Sequence, residues 1–131
     1  MKKTIIFILS VGLSFNGFSQ ANIAAARVLG LGATVTITGI ATNGSELGGP
    51  IRYIEDATGG MALYDPTVTD SILRGQEITV TGELVDFNGL MEMTPVNSIT
   101  INSSGNSITP QVITPIQVGE DTEGELIKIE N

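Results

Sequence analysis

Apolar and polar residues alternate over Ala33–Thr42, where Val35 and Ile37 are separated by threonines and Gly39-Ile40 follows. Period-two alternation rich in β-branched residues predicts a strand. Gly39 suggests a bulge or a sharp bend, such as a strand needs at a barrel corner. The same alternation returns at Glu77–Asp86, with Ile78, Val80 and Leu84 on one face. Between these segments lie a turn cluster at Asn43–Pro50, a strand at Ile51–Asp56, a tight turn at Ala57–Gly60 and a strand at Met61–Tyr64. The last two strands read as a hairpin. Asp65-Pro66 opens a different pattern. Asp is a good N-cap and Pro suits a first helical position, so Pro66–Leu73 predicts a short helix or helical turn ended by Gly75. Asn88-Gly89 favours a type I′ two-residue turn, which pairs Phe87 with Leu90 and Leu84 with Met93. Leu90–Ile101 is then a returning strand with Pro95 at a bulge or edge. Ahead of all this, Ala21–Leu29 predicts a short helix ended by Gly30 and Gly32.

The predicted order is three strands, a short helix and two more strands. That is the order of the OB-fold, an all-β, five-stranded, partly open Greek-key barrel with a helix between strands three and four. The domain is expected to span residues 21–107. Residues 108–131 hold a linker and a strand seed at Leu126–Ile129 without an obvious later partner. This seed predicts a following module and a chain that is a fragment of a longer protein.

Three strings resemble a recurring N-terminal module of secreted flavobacterial-type proteins. One runs from Ala24-Ala25-Ala26-Arg27 through Gly32–Ile40. The second is Tyr53-Ile54-Glu55-Asp56-Ala57-Thr58-Gly59-Gly60-Met61-Ala62-Leu63-Tyr64, and the third is Arg74–Gly82, where Gln76-Glu77 sets the acid one place late. The resemblance implies an OB-fold of the nucleic-acid-binding class, placed ahead of lamin-tail, nuclease or phosphatase, or C-terminal sorting domains in long exported proteins. These are strand-and-turn strings. They speak to fold more than to chemistry, and any catalysis would belong to the later domains.

The first twenty residues change the picture of where the domain works. Lys2 and Lys3 precede an apolar run, Ile5–Phe15, and then small polar residues with Gly17 and Ser19 before Gln20. This is the order of a cleavable signal peptide over residues 1–20, and the run is too short to span a bilayer. Export to the periplasm or beyond is expected, with no membrane attachment after cleavage. Past residue 20 the cations are Arg27, Arg52, Arg74 and Lys128, against 14 acids, for a net charge of −10. Nucleic-acid affinity rests largely on phosphate neutralisation, so this balance disfavours it as a partner. It suits solubility.

The chain has no Cys, His or Trp, which removes disulfides, the usual zinc and copper ligands, His-dependent triads and thiol nucleophiles. No cofactor is expected. Asp56, Asp65 and Asp70 are acids in one region, but their spacing is not that of a calcium loop, so no metal site is assigned. A carboxylate pair for glycoside cleavage needs only two acids, yet none is singled out among 14, and no catalytic residue is assigned. OB-folds bind ligands on the face of strands two and three and in adjoining loops. Here those positions hold Tyr53, Tyr64, Phe87 and Asn88, the candidate ligand-binding residues. With three aromatics after residue 20, at least two are expected to fill the barrel or cover its ends. The reading is a non-enzymatic OB-fold binding or spacer module of a larger exported protein, its ligand unknown. The alternatives are a nucleic-acid-binding accessory domain of an extracellular nuclease and a small carboxylate-dependent hydrolase.

Overall fold

The computed structural model describes residues 20–130, so the predicted signal peptide, but for Gln20, lies outside the described residues. The elements are β1 (Gln20–Ala21), α1 (Ile23–Leu29), β2 (Thr34–Ala41), β3 (Ile51–Asp56), β4 (Gly59–Tyr64), β5 (Glu77–Phe87), β6 (Leu90–Ser103), β7 (Gln111–Ile113) and β8 (Ile127–Ile129). Strands β2–β6 follow the order β2-β3-β4-β6-β5, and β5 returns to β2, which closes a five-stranded barrel. All neighbours are antiparallel except β4 and β6. The fold is therefore the predicted OB-type barrel.

Gly39 is where β2 changes partner. Its pairing with β5 runs to Ile40, while Ile40 and Ala41 pair with β3. A Cβ on Gly39 would come 2.8 Å from the Glu55 carbonyl oxygen, so the glycine lets the corner close. The strand bends there without a bulge. The register shifts lie instead in the β5–β6 ladder, between Glu77 and Ile78 and on either side of Gly82, which pairs with Val96 next to Pro95. Asn88 and Gly89 take positive φ of 55° and 93°, as a type I′ turn requires, and Phe87–Leu90 and Leu84–Met93 pair as expected.

The core is aliphatic. Ile23, Ile37, Ile54, Met61, Leu63, Ile72, Ile78, Val80, Leu84 and Met93 are buried in one cluster that contains no aromatic side chain. Of the two places expected for the aromatics, inside the barrel or over its ends, the core holds none. Alternation in β3 sends Arg52 and Ile54 inward and leaves Tyr53 outside, because inward positions must share parity with Ile54.

Each barrel end has its own plug. At one end α1 inserts Ile23 and Ala26. Its Asn22 cap accepts from the Ala25 amide at 2.8 Å, and the Ile23 amide donates to Asp56 at 2.8 Å. At the other end the connection between β4 and β5 is shorter than the predicted Pro66–Leu73 helix. It is a helical turn started by Asp65, with 3₁₀ geometry at Thr69–Ser71. Asp65 accepts from the Thr67 amide at 2.9 Å and from the Val96 amide at 3.3 Å, so its carboxylate also ties the turn to β6. Beneath the turn Arg52, 1% exposed, donates to the carbonyls of Ile72 (3.1 Å), Gly49 (3.1 Å) and Ile51 (2.8 Å).

Beyond β6 the chain folds back onto the barrel. β7 and β8 pair in parallel, and Ile113 is buried. The intervening stretch crosses the β3–β4 hairpin. There the Leu126 amide donates to the Glu55 carboxylate, and Glu123 accepts from Arg27 at 2.6 Å.

Candidate ligand face

The outer face of β3-β4-β6-β5 is built by register. Tyr53 sits opposite Ala62, Ala62 beside Glu92, and Glu92 opposite Val85. One row further, Ile51 faces Tyr64, and on the other side Leu90 faces Phe87. The strand alternation that buries Ile54, Met61, Leu63 and Met93 therefore puts Tyr53, Tyr64, Phe87 and Glu92 on one outward surface.

Tyr64 and Phe87 share a cleft of about 440 Å³, lined also by Gly48, Gly49, Pro50, Ile51, Leu90, Glu92 and Thr94. Phe87 is 60% exposed and Tyr64 39%. Exposed large aromatics around a concavity are the usual makings of a recognition surface. Tyr53 is half-buried and belongs to a second cleft of about 370 Å³, with Asn43, Leu47, Arg74 and residues 124–126. Asn88 stands at the hairpin tip and lines neither of these clefts. Of the four residues the sequence singles out, the structure brings Tyr64 and Phe87 together and leaves Tyr53 and Asn88 apart from them.

Glu92 is the residue that sequence reasoning missed. It is 4% exposed, and burial alone pushes its carboxyl above the ordinary value of 4.5. The Tyr53 hydroxyl is raised too, first by burial and then by the negative charges of Glu92 and Glu123. No local signal marks it: between Met91 and Met93, Glu92 holds an outward position where strand alternation expects a polar residue. Arg52 was missed for the converse reason. It is a charge at an inward position, which strand alternation alone assigns to an apolar residue.

Asp56, Asp65 and Asp70 are not brought together. Asp56 accepts from the Ile23 and Thr58 amides, Asp65 from the Thr67 amide, and Asp70 lies 3.5 Å from Arg52. Among the described residues no cluster of three acids is arranged to hold a metal ion, and no helix is long and apolar enough to cross a membrane.

Closed order, Greek-key connections and an outward aromatic cleft define an OB-type β-barrel. Consistent with this, the structure of the hypothetical protein ygiW from E. coli superimposes with a TM-score of 0.51 at 17% identity, covering 66% of this chain and 99% of that one. In sequence, Endonuclease YhcR of Bacillus subtilis (strain 168) is 33% identical over 111 residues, which is 76% of this chain but 9% of that protein. This chain therefore corresponds to a small part of that relative. No protein-family model matches the chain.

Proposed function

We propose that this chain is a non-catalytic binding module of a larger exported protein, with the outer face of β3-β4-β6-β5 as its ligand surface. The observation that carries this reading is the cleft shared by Tyr64 and Phe87, at the place where OB barrels present their ligand face. Similarity to a short stretch of a much longer endonuclease supports an accessory role beside other domains. The signal-like N-terminus supports export. NMR shift mapping tests the reading with three soluble probes: a twelve-residue oligothymidylate, cellotetraose and a basic tripeptide. At least one should perturb Tyr64, Phe87, Leu90 and Thr94 saturably. Perturbation confined to other surfaces by all three would remove the cleft as the ligand site.

A second reading, a nucleic-acid-binding accessory domain, draws on the same endonuclease similarity. Charge weighs against it. The outer face carries Glu55 and Glu92, and the nearby Arg27 is already paired with Glu123. On this balance oligothymidylate binds weakly or not at all at physiological salt. Sub-micromolar binding that falls with salt would favour the second reading.

A further inference from the structure

We propose that the Tyr64–Phe87 cleft is a site for an organic cation, an alkylammonium or guanidinium group that pairs with the Glu92 carboxylate. This rests on the reading of the outer face as the ligand surface and adds the chemistry of what it takes.

Glu92 carries the argument. It lines the cleft yet is 4% exposed, and among the described residues no side chain or backbone group donates a hydrogen bond to its carboxylate. No side-chain oxygen of the described residues is both sealed from solvent and unpartnered, so the carboxylate is open to the cleft it lines, and a guest that displaces water there must supply its partner. Among the described residues each cation is engaged elsewhere. Arg27 is bound to Glu123 at 2.6 Å, Arg52 is turned inward onto carbonyls, Arg74 lies 3.6 Å from Glu46, and Lys128 is paired with Glu130. A cation that enters the cleft therefore meets a carboxylate that no described residue has already paired.

The rest of the cleft suits such a guest. Tyr64 and Phe87 offer ring faces, which attract a cation most strongly when it is partly desolvated. Pro50, Ile51 and Leu90 supply apolar surface for the methylene stem that long cationic side chains carry. The net charge of −10 past residue 20 draws cations toward the whole module. Two sources present this chemistry: a lysine or arginine side chain of a partner polypeptide, and a free polyamine.

The test is an NMR titration of the purified chain with an acetylated tri-arginine peptide, spermidine, the uncharged tri-citrulline peptide and cellotetraose. The expected result is saturable movement of the Tyr64, Phe87, Leu90 and Thr94 signals by the arginine peptide or spermidine, with citrulline weaker by about tenfold or more. Stronger binding by the peptide points to a polypeptide source, and stronger binding by spermidine to a polyamine. Glu92→Gln should weaken the cation by a similar factor although it removes one acid of 14, which separates the site from diffuse attraction. Phe87→Ala, at an exposed position, gives the same loss without relying on the Glu92 variant to fold. Equal binding of arginine and citrulline peptides, or indifference to both substitutions, overturns the proposal. If cellotetraose moves the cleft signals and the cations do not, the cation site is wrong and the ligand face stands. If nothing moves them, the cation site falls, and the ligand face falls with it once oligothymidylate also leaves them unmoved.

Discussion

Gly60 and Gly124 meet backbone to backbone: a Cβ on Gly124 would lie 2.9 Å from the Gly60 carbonyl carbon, and one on Gly60 would lie 2.6 Å from the Glu125 nitrogen. Two glycines 64 positions apart thus set how closely the C-terminal segment lies on the β3–β4 hairpin. Gly60→Ala should lift this segment. The expected outcome is loss of amide-exchange protection at Leu126 with protection in β5 retained. Thermal unfolding should fall by about 4–8 °C for each kcal/mol lost. Full protection of Leu126 in the variant would show that the contact is incidental.

Arg52→Leu keeps much of the volume but removes the side-chain donor to the Ile72 and Gly49 carbonyls, while Ile51 keeps its bond from the Asn43 side chain. Each buried acceptor left without a donor costs about 1–3 kcal/mol. A loss of about 2–4 kcal/mol in urea denaturation is expected, with the slope unchanged. Asp70→Asn touches the same arginine from an exposed position and should cost less than about 1 kcal/mol.

Acid stability should carry two opposite signatures. Glu92 and Glu55 have carboxyls raised above 4.5, each first by burial; at Glu55 the Leu126 amide opposes the shift and Glu125 adds to it. A raised carboxyl favours the folded state while protonated, so this contribution is present below the ordinary value and is lost as pH rises through the folded one. Glu92→Gln should therefore unfold at a higher temperature than the parent at pH 7, with the difference vanishing below 4.5. Asp65 is lowered from 3.8, first by the Thr67 hydroxyl and then by the Thr67 amide. Its contribution is present above 3.8 and is lost as pH falls through the lowered value. Asp65→Asn should lose stability at pH 7 and converge with the parent in strong acid. Calorimetric scans across pH check both.

Asn88→Gly should be neutral or slightly stabilising, because the position has φ of 55°. Gly89→Val, at φ of 93°, should cost about 1–2 kcal/mol by strain alone. The comparison is made by equilibrium unfolding. Equal costs for the two would mean that the hairpin abandons its type I′ geometry.

The barrel was legible in the sequence because each strand carries local signals. Thr-Val-Thr-Ile alternation marks β2, Asn88-Gly89 fixes the β5–β6 register, and Asp65-Pro66 marks the connection between β4 and β5. Tyr64 and Phe87 were legible as surface candidates from their places in the strand order. What stayed hidden depends on contacts between distant segments. The seating of residues 124–126 on Gly60, the burial of Arg52 under Ile72 and the isolation of Glu92 all arise from tertiary packing, which no local period encodes. The aromatics stay out of the core for a related reason. Aliphatic residues on five strands fill so small a barrel, and the rings are left outside.

The parallel pairing of β4 with β6 rests on two register positions, Ala62–Glu92 and Leu63–Met93, whereas β5 and β6 are zipped along most of their length. Tyr64 stands on one side of that short seam, and Glu92 and Phe87 on the other. A guest held by all three bridges one of the cylinder's two short seams, the other being β2–β3. Occupancy then acts as a clasp: the loaded module resists pulling and proteolysis better than the empty one, and slowed amide exchange at Leu63 and Met93 reports the change.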